Sequence, residues 1–156
     1  MSAETMTIVL VEDFEQDWMI KHLEETFEVR VRLIKTESEF RGQLDQIDLN
    51  PPQAFIIDMI LPWTEPAPGQ PRAPKDVKAG GKERAGFRCQ RLLAERESTR
   101  AIPVIFFSRI DALQFEGEIR ELPTSAIYVK KADRASLDRE LKRRTRLIER
   151  VRPGTE

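Results

Sequence analysis

Apolar residues fall into short runs of strand length, separated by stretches in which they recur every three or four positions. Thr7–Ile8–Val9–Leu10–Val11, Ala54–Phe55–Ile56–Ile57 and Pro103–Val104–Ile105–Phe106–Phe107 are nearly unbroken, as in strands buried on both faces, and Ala126–Ile127–Tyr128–Val129 is a fourth such run. Val29, Val31 and Leu33 alternate with Arg30 and Arg32, which gives one wet face and predicts an edge strand. Between these runs the period lengthens. Trp18, Ile20, Leu23 and Phe27 predict a first helix, with capping chemistry in Phe14–Glu15–Gln16–Asp17. Glu37 to Ile47 predicts a second behind Thr36 and Ser38, with Phe40, Leu44 and Ile47 inward, before Asn50–Pro51–Pro52 breaks the chain. Gly86 to Glu97, a weaker stretch near Asp111–Leu122, and Arg134 to Arg152 complete the set. Five strand–helix units predict a parallel sheet with right-handed crossovers.

One segment departs from this rhythm. Trp63 to Ala85 is rich in proline, glycine and charge, and it lies directly beyond Asp58. Its composition predicts an inserted flexible loop with no regular structure, over residues 63–85.

With 156 residues the chain has room for one domain, and 40% hydrophobic against 34% charged residues fits a globular one. A net charge of −1 argues against nucleic-acid binding by bulk charge. The single cysteine, Cys89, excludes an internal disulfide and a cysteine-built zinc site, and a reducing cytoplasm is expected. The acidic start Met1–Ser2–Ala3–Glu4 is unlike a signal peptide, and no apolar run reaches the roughly 18 residues of a membrane span. His22 reads as a solvated surface residue and Cys89 as a core thiol. The basic residues of the last helix alternate with Asp138, Glu140 and Glu149, as on a solvated or partner-facing surface.

The candidate chemistry sits where the strands end. In open α/β sheets the functional crevice lies outside the carboxyl ends of the strands. Those ends carry Glu12 and Asp13, then Asp58, then Ser108, then Lys130 and Lys131. Three acids converging there require a cation or raised pKa values. Asp58 can attack phosphorus to give an acyl phosphate. A magnesium ion held by Asp13, Asp58 and Glu12, directly or through water, would neutralise charge on the transferring group. One of the two lysines would pair with a phosphoryl oxygen, and the Ser108 hydroxyl would donate to another.

Ile8–Val9–Leu10–Val11–Glu12–Asp13, Ile56–Ile57–Asp58–Met59–Ile60–Leu61–Pro62, Gly86–Phe87, Ile102 to Ser108 and Tyr128–Val129–Lys130–Lys131–Ala132–Asp133 together resemble the receiver domains of two-component response regulators. The resemblance spans nearly the whole chain. It implies a doubly wound, flavodoxin-like sheet of five parallel strands in the order 2-1-3-4-5, formed as one domain over residues 1–156. It implies Asp58 as phosphoacceptor, Glu12 and Asp13 as metal-binding acids, the Ile60 carbonyl as a backbone ligand of Mg²⁺, Ser108 in the hydroxyl role, and Tyr128 as the switch aromatic. Because the family's switch aromatic stands three residues before its lysine, Lys131 is preferred to Lys130. The chain departs from the family at Arg109, where a small residue is usual, at Ala132, where proline is common, and in the long segment after Asp58. The implied role is a stand-alone, cytoplasmic phosphorelay receiver. It would catalyse no more than its own phosphorylation and dephosphorylation, take phosphoryl groups from a histidine kinase or histidine phosphotransfer protein, and signal to a downstream protein. No direct contact with nucleic acid and no membrane insertion are implied. The rival reading is an interaction module that acts through its inserted loop without phosphorylation.

Overall fold

The computed structural model describes residues 6–70 and 72–151. Five parallel strands, β1 (Thr7–Val11), β2 (Arg30–Ile34), β3 (Ala54–Ile57), β4 (Val104–Ser108) and β5 (Ala126–Lys130), form one sheet in the order β2-β1-β3-β4-β5. This is the expected order, and the alternating Val29–Leu33 segment does supply an edge strand. Period-two alternation sends successive side chains to opposite faces, and two cores result. Val9, Val11, Phe55, Ile57, Val104 and Phe106 pack against α2 (Glu37–Gly42), α3 (Leu44–Leu49) and α5 (Ala85–Ala94) through Phe40, Leu44, Ile47, Phe87 and Leu93. Ile8, Leu10, Ala54, Ile56, Ile105 and Phe107 pack on the other face against α1 (Gln16–Thr26) and α7 (Arg134–Arg144) through Met19, Leu23, Leu137 and Leu141. Cys89 is fully buried in the first core.

Register sets the level at which the site residues emerge. Val11 pairs with Ile57, so Glu12 and Asp58 leave the sheet side by side, and the Asp58 N–H donates to the Val11 carbonyl at 2.9 Å. Across the sheet Ser108 pairs with Lys130, and the Lys131 N–H donates to the Ser108 carbonyl at 2.8 Å.

Four expectations are corrected. The helix expected over Glu37 to Ile47 is two helices, because Gln43 (φ −100°, ψ 3°) interrupts the α conformation between α2 and α3. The last helix stops at Arg144. Thr145 is extended and its hydroxyl donates to the Leu141 carbonyl; the chain then turns back, and its Arg150 N–H donates to the Thr26 carbonyl at 2.8 Å. Arg152 lies outside the described residues. His22 is only partly solvated: its Nε2 lies 2.8 Å from Asp138, linking α1 to α7.

The fourth concerns the segment after Asp58, which carries regular structure. Residues Lys75–Gly80 form α4 and Lys82–Arg84 a 3₁₀ turn leading into α5. Val77 is buried, and Pro62 and Trp63 offer their carbonyls to the N–H groups of Glu37 and Ser38 at 3.0 and 2.9 Å. Those are orphan donors of the first turn of α2, so the start of the segment completes a helix cap that the Thr36 hydroxyl begins by accepting from the Glu39 N–H. After α5, a 3₁₀ turn over Ala112–Phe115 and the short α6 (Glu116–Arg120) stand in for the weak helix expected near Asp111–Leu122. No helix among the described residues is long and apolar enough to cross a membrane.

Candidate functional site

Two loops, one after β1 and one after β3, bring acids to the carboxyl edge of the sheet, and the loop after β5 brings a base between them. Glu12 is buried directly behind Val11, and Asp58, 8% exposed, lies directly behind Ile57. Lys131, 7% exposed, reaches between them: its ammonium contacts the Glu12 carboxylate and stands 3.2 Å from Asp58 Oδ2. Lys130 points away, exposed, with Asp111 at 3.7 Å. Asp13, Asp58, Ile60, Lys82, Arg109 and Lys131 line one cleft of about 380 Å³, together with Phe14 and Pro62.

Ser108 is fully covered, and its hydroxyl oxygen accepts the Ile110 N–H at 3.2 Å. Tyr128 is half-buried against Phe106 and donates its hydroxyl to the Ile110 carbonyl at 2.7 Å. Both therefore converge on the loop that follows β4, next to the cleft.

Close approach of β3 and α5 depends on a glycine. A Cβ on Gly86 would stand 2.7 Å from the Asp58 carbonyl oxygen and 2.9 Å from Met59 Sδ, so no larger residue fits without moving the Asp58 backbone.

The electrostatics follow from burial and from this crowding. Burial, then the neighbouring Asp58, pushes Glu12 up to about 8, and the Lys131 ammonium only partly offsets them. Burial pulls Lys131 down, but contact with Glu12 and the fields of Asp58 and Glu12 outweigh it and hold the ammonium above its ordinary range. Asp13 is raised by partial desolvation and by Glu65, with Lys35 opposing. Tyr128 is raised by burial.

Three residues of this site escape sequence reasoning in their actual roles. Glu15 stands at the N-cap of α1, yet its side chain caps nothing and turns to pair with Arg109 and, at 3.4 Å, with Lys131. Arg109 also lies over the exposed Phe14 ring, 5.1 Å from its centroid. Lys82 reaches the cleft because the Leu61 N–H donates to its carbonyl and ties the end of the long segment to the end of β3. Glu15 read as part of the capping stretch Phe14–Glu15–Gln16–Asp17, and Arg109 only as a departure from the family's usual small residue.

The expected convergence of three carboxylates takes another form. Among the described residues no three acids are gathered so as to hold an ion by themselves, and the Lys131 ammonium contacts both Glu12 and Asp58. The donors nevertheless fit a hard divalent cation. Two carboxylates, Asp13 and Asp58, face one cleft with Ile60, and Glu12 Oε2 is buried with no hydrogen-bond partner. Mg²⁺ keeps several waters and takes one or two carboxylates, which this set supplies.

No family model matches the chain, and no curated protein matches it. Solved structures do. A sensor protein from Polaromonas sp. JS666 is 18% identical at a TM-score of 0.63, covering 89% of this chain and 94% of its own. The receiver domain of a sensor histidine kinase from Pseudomonas aeruginosa PAO1, with a magnesium ion coordinated in the active site cleft, is 22% identical at a TM-score of 0.59, covering 90% and 97%. The non-phosphorylated HemR receiver domain from Leptospira biflexa is 20% identical at a TM-score of 0.60, covering 97% and 100%. The likeness is one of fold: the chain has the flavodoxin-like fold of response regulator receiver domains.

Proposed function

We propose that this chain is a phosphoacceptor receiver in two-component phosphorelay signalling, phosphorylated on Asp58. The observation that carries this reading is the pairing of Asp58 with the buried Lys131 at the mouth of a cleft that Asp13 and Ile60 also line. An Asp58 oxygen forms the bond to phosphorus as the donor's phosphorus–nitrogen bond breaks, with the electron pair leaving on nitrogen. Lys131, released from Asp58, pairs with a phosphoryl oxygen, and the Ser108 hydroxyl is the nearby donor for a second once its loop moves. Asp13 and Asp58, with the Ile60 carbonyl and Glu12 in support, would hold Mg²⁺, which supplies neutralisation of charge on the transferring group.

The partners of this reading are a histidine kinase or histidine phosphotransfer protein upstream and a protein target downstream, in the cytoplasm. Movement of Ser108 would reach Tyr128 through the Ile110 segment that both already grip, shifting a pre-existing equilibrium of the β5–α7 face. Incubation with phosphoramidate and Mg²⁺, followed by intact-mass measurement, tests the assignment. One phosphoryl group should appear on the wild type, and none on Asp58→Asn or when the metal is chelated. Labelling that survives Asp58→Asn would overturn it; no labelling of either the wild type or Glu15→Gln would favour an interaction module that works without phosphorylation.

A further inference from the structure

The Lys131 ammonium is surrounded by three carboxylates: Glu12 in contact, Asp58 at 3.2 Å and Glu15 at 3.4 Å. An ammonium has three N–H donors and no acceptor; two of these reach Glu12 and Asp58, and Glu15 adds an ion pair. The second oxygen of Glu15 pairs with Arg109, whose guanidinium lies over Phe14. The loops after β1 and β4 are thereby clasped across the mouth of the Asp58 cleft by one acid that holds two cations.

Two observations say that this acid is held there by the site and not by its helix. Glu15 occupies the N-cap of α1, where a side-chain oxygen normally accepts a backbone N–H, and it accepts none. Its side chain is also largely covered, at 18% exposure, so its pair with the buried Lys131 is screened less than a surface pair, whereas Arg109 is exposed. Of the three acids around Lys131, Asp58 is the nucleophile and Glu12 is the buried acid beside it. Glu15 takes no part in the transfer.

We propose that Glu15 is a resident competitor for the phosphoryl group, occupying Lys131 and Arg109 until an incoming phosphoryl oxygen displaces it. The proposal rests on the phosphoreceiver reading above. Exchange is anion for anion: the Glu15 carboxylate leaves the two cations, swings to solvent or to the free N–H groups of α1, and the phosphoryl oxygens take its place. The cleft then favours donors that bind tightly enough to evict an internal carboxylate, which sets a threshold against small phosphodonors. Glu15 is a positioning residue, since it acts through Lys131 and Arg109.

Beryllofluoride with Mg²⁺, titrated against the full chain and followed by Trp fluorescence or amide NMR shifts, tests this at equilibrium. Glu15→Gln keeps the size of the side chain and removes its charge, and Glu15→Ala serves as a second variant should the first fold poorly. Both should bind beryllofluoride about fivefold more tightly than wild type at low salt, the size of one partly screened ion pair. The gap should close in about 1 M NaCl, where ion pairs are screened within about 3 Å. A purely structural role for Glu15 would not produce that salt dependence. Equal or weaker binding in the variants, with an Asp58-dependent response in the wild type, overturns the role of Glu15 and leaves the receiver reading standing. No Asp58-dependent response in any form overturns the receiver reading and this inference with it.

Discussion

Arg88 and Glu37 form the most demanding contact in the molecule away from the cleft. Arg88 Nε and Nη2 meet the two Glu37 oxygens at 2.7 and 2.8 Å, and Glu37 is fully buried. A buried ion pair contributes little relative to apolar packing, but removing one partner strands the other charge away from water. Among the described residues, Arg41 at 3.1 Å would be the one cation left to pair with Glu37. Arg88→Met is therefore expected to lower stability by about 3 kcal/mol, while Glu37→Leu with Arg88→Met recovers most of the loss. Urea midpoints at constant m-value read both. If the double variant is no better than the single one, the stranded-charge account is wrong. This pair was illegible in the sequence, because a charged residue on a helix reads as solvated and nothing local marks its partner on another helix. Asp58, Glu12 and Lys131 were legible for the opposite reason. Asp58 and Glu12 directly follow apolar runs, and strand register brings such residues to one edge; Lys131 lies one residue beyond Lys130 and was separated from it by the resemblance, through its spacing from Tyr128.

At the level of elements, two glycines should respond to the same substitution with opposite sign. Gly→Ala within a helix ordinarily gains up to about 1 kcal/mol by restricting the unfolded chain. Gly117 in α6 has nothing within 4 Å of the added methyl, so Gly117→Ala should stabilise. Gly86 in α5 meets Asp58 and Met59 below 3.0 Å, so Gly86→Ala should destabilise by about 1–3 kcal/mol and slow the phosphorylation proposed for Asp58 as its backbone shifts. Thermal melts and phosphoramidate labelling check the pair, and a stabilising Gly86→Ala would remove the close-approach argument. Apolar period gave the strands and most helices their places. It failed where helix ends are decided by partners distant in sequence. The apolar spacing of Leu137, Leu141, Ile148 and Val151 favours a helix through residue 151. The fold instead ends it at Arg144, because Leu147 is buried and Arg150 Nε caps the end of α1 through the Glu24 and Phe27 carbonyls at 2.7 and 3.0 Å.

For the whole molecule, the question is how the segment between β3 and α5 belongs to the domain. Its low apolar content led to the expectation of a loop without structure, since such a chain buries too little to offset its ordering entropy. The structure gives it a small share of burial and several fixed points. Val77 packs down, Asp76 meets Arg41 at 2.7 Å, Arg41 lies over the Trp63 ring, and Gly81 turns the chain at φ 78° toward the Lys82 carbonyl that Leu61 uses. The fixed points at Trp63 and Lys82 define what can be cut: residues 64–81 can go, whereas 62–63 cap α2 and Lys82 lines the Asp58 cleft. Losing Val77 costs about 1.5–3 kcal/mol of burial, and the exposed Arg41–Asp76 pair at most about 1 kcal/mol. Shortening the loop returns about 0.6 kcal/mol for each halving of its length. A short turn in place of 64–81 should therefore leave a cooperative domain about 1–3 kcal/mol less stable, with Tm lower by roughly 2–4 °C per kcal/mol. Beryllofluoride binding should persist in this variant, because Asp13, Asp58, Lys131 and Lys82 all remain. An unfolded product would make α4 part of the core. An unchanged or higher Tm would mean that Val77 and Asp76 contribute nothing measurable, and the segment would then be free to serve partners alone.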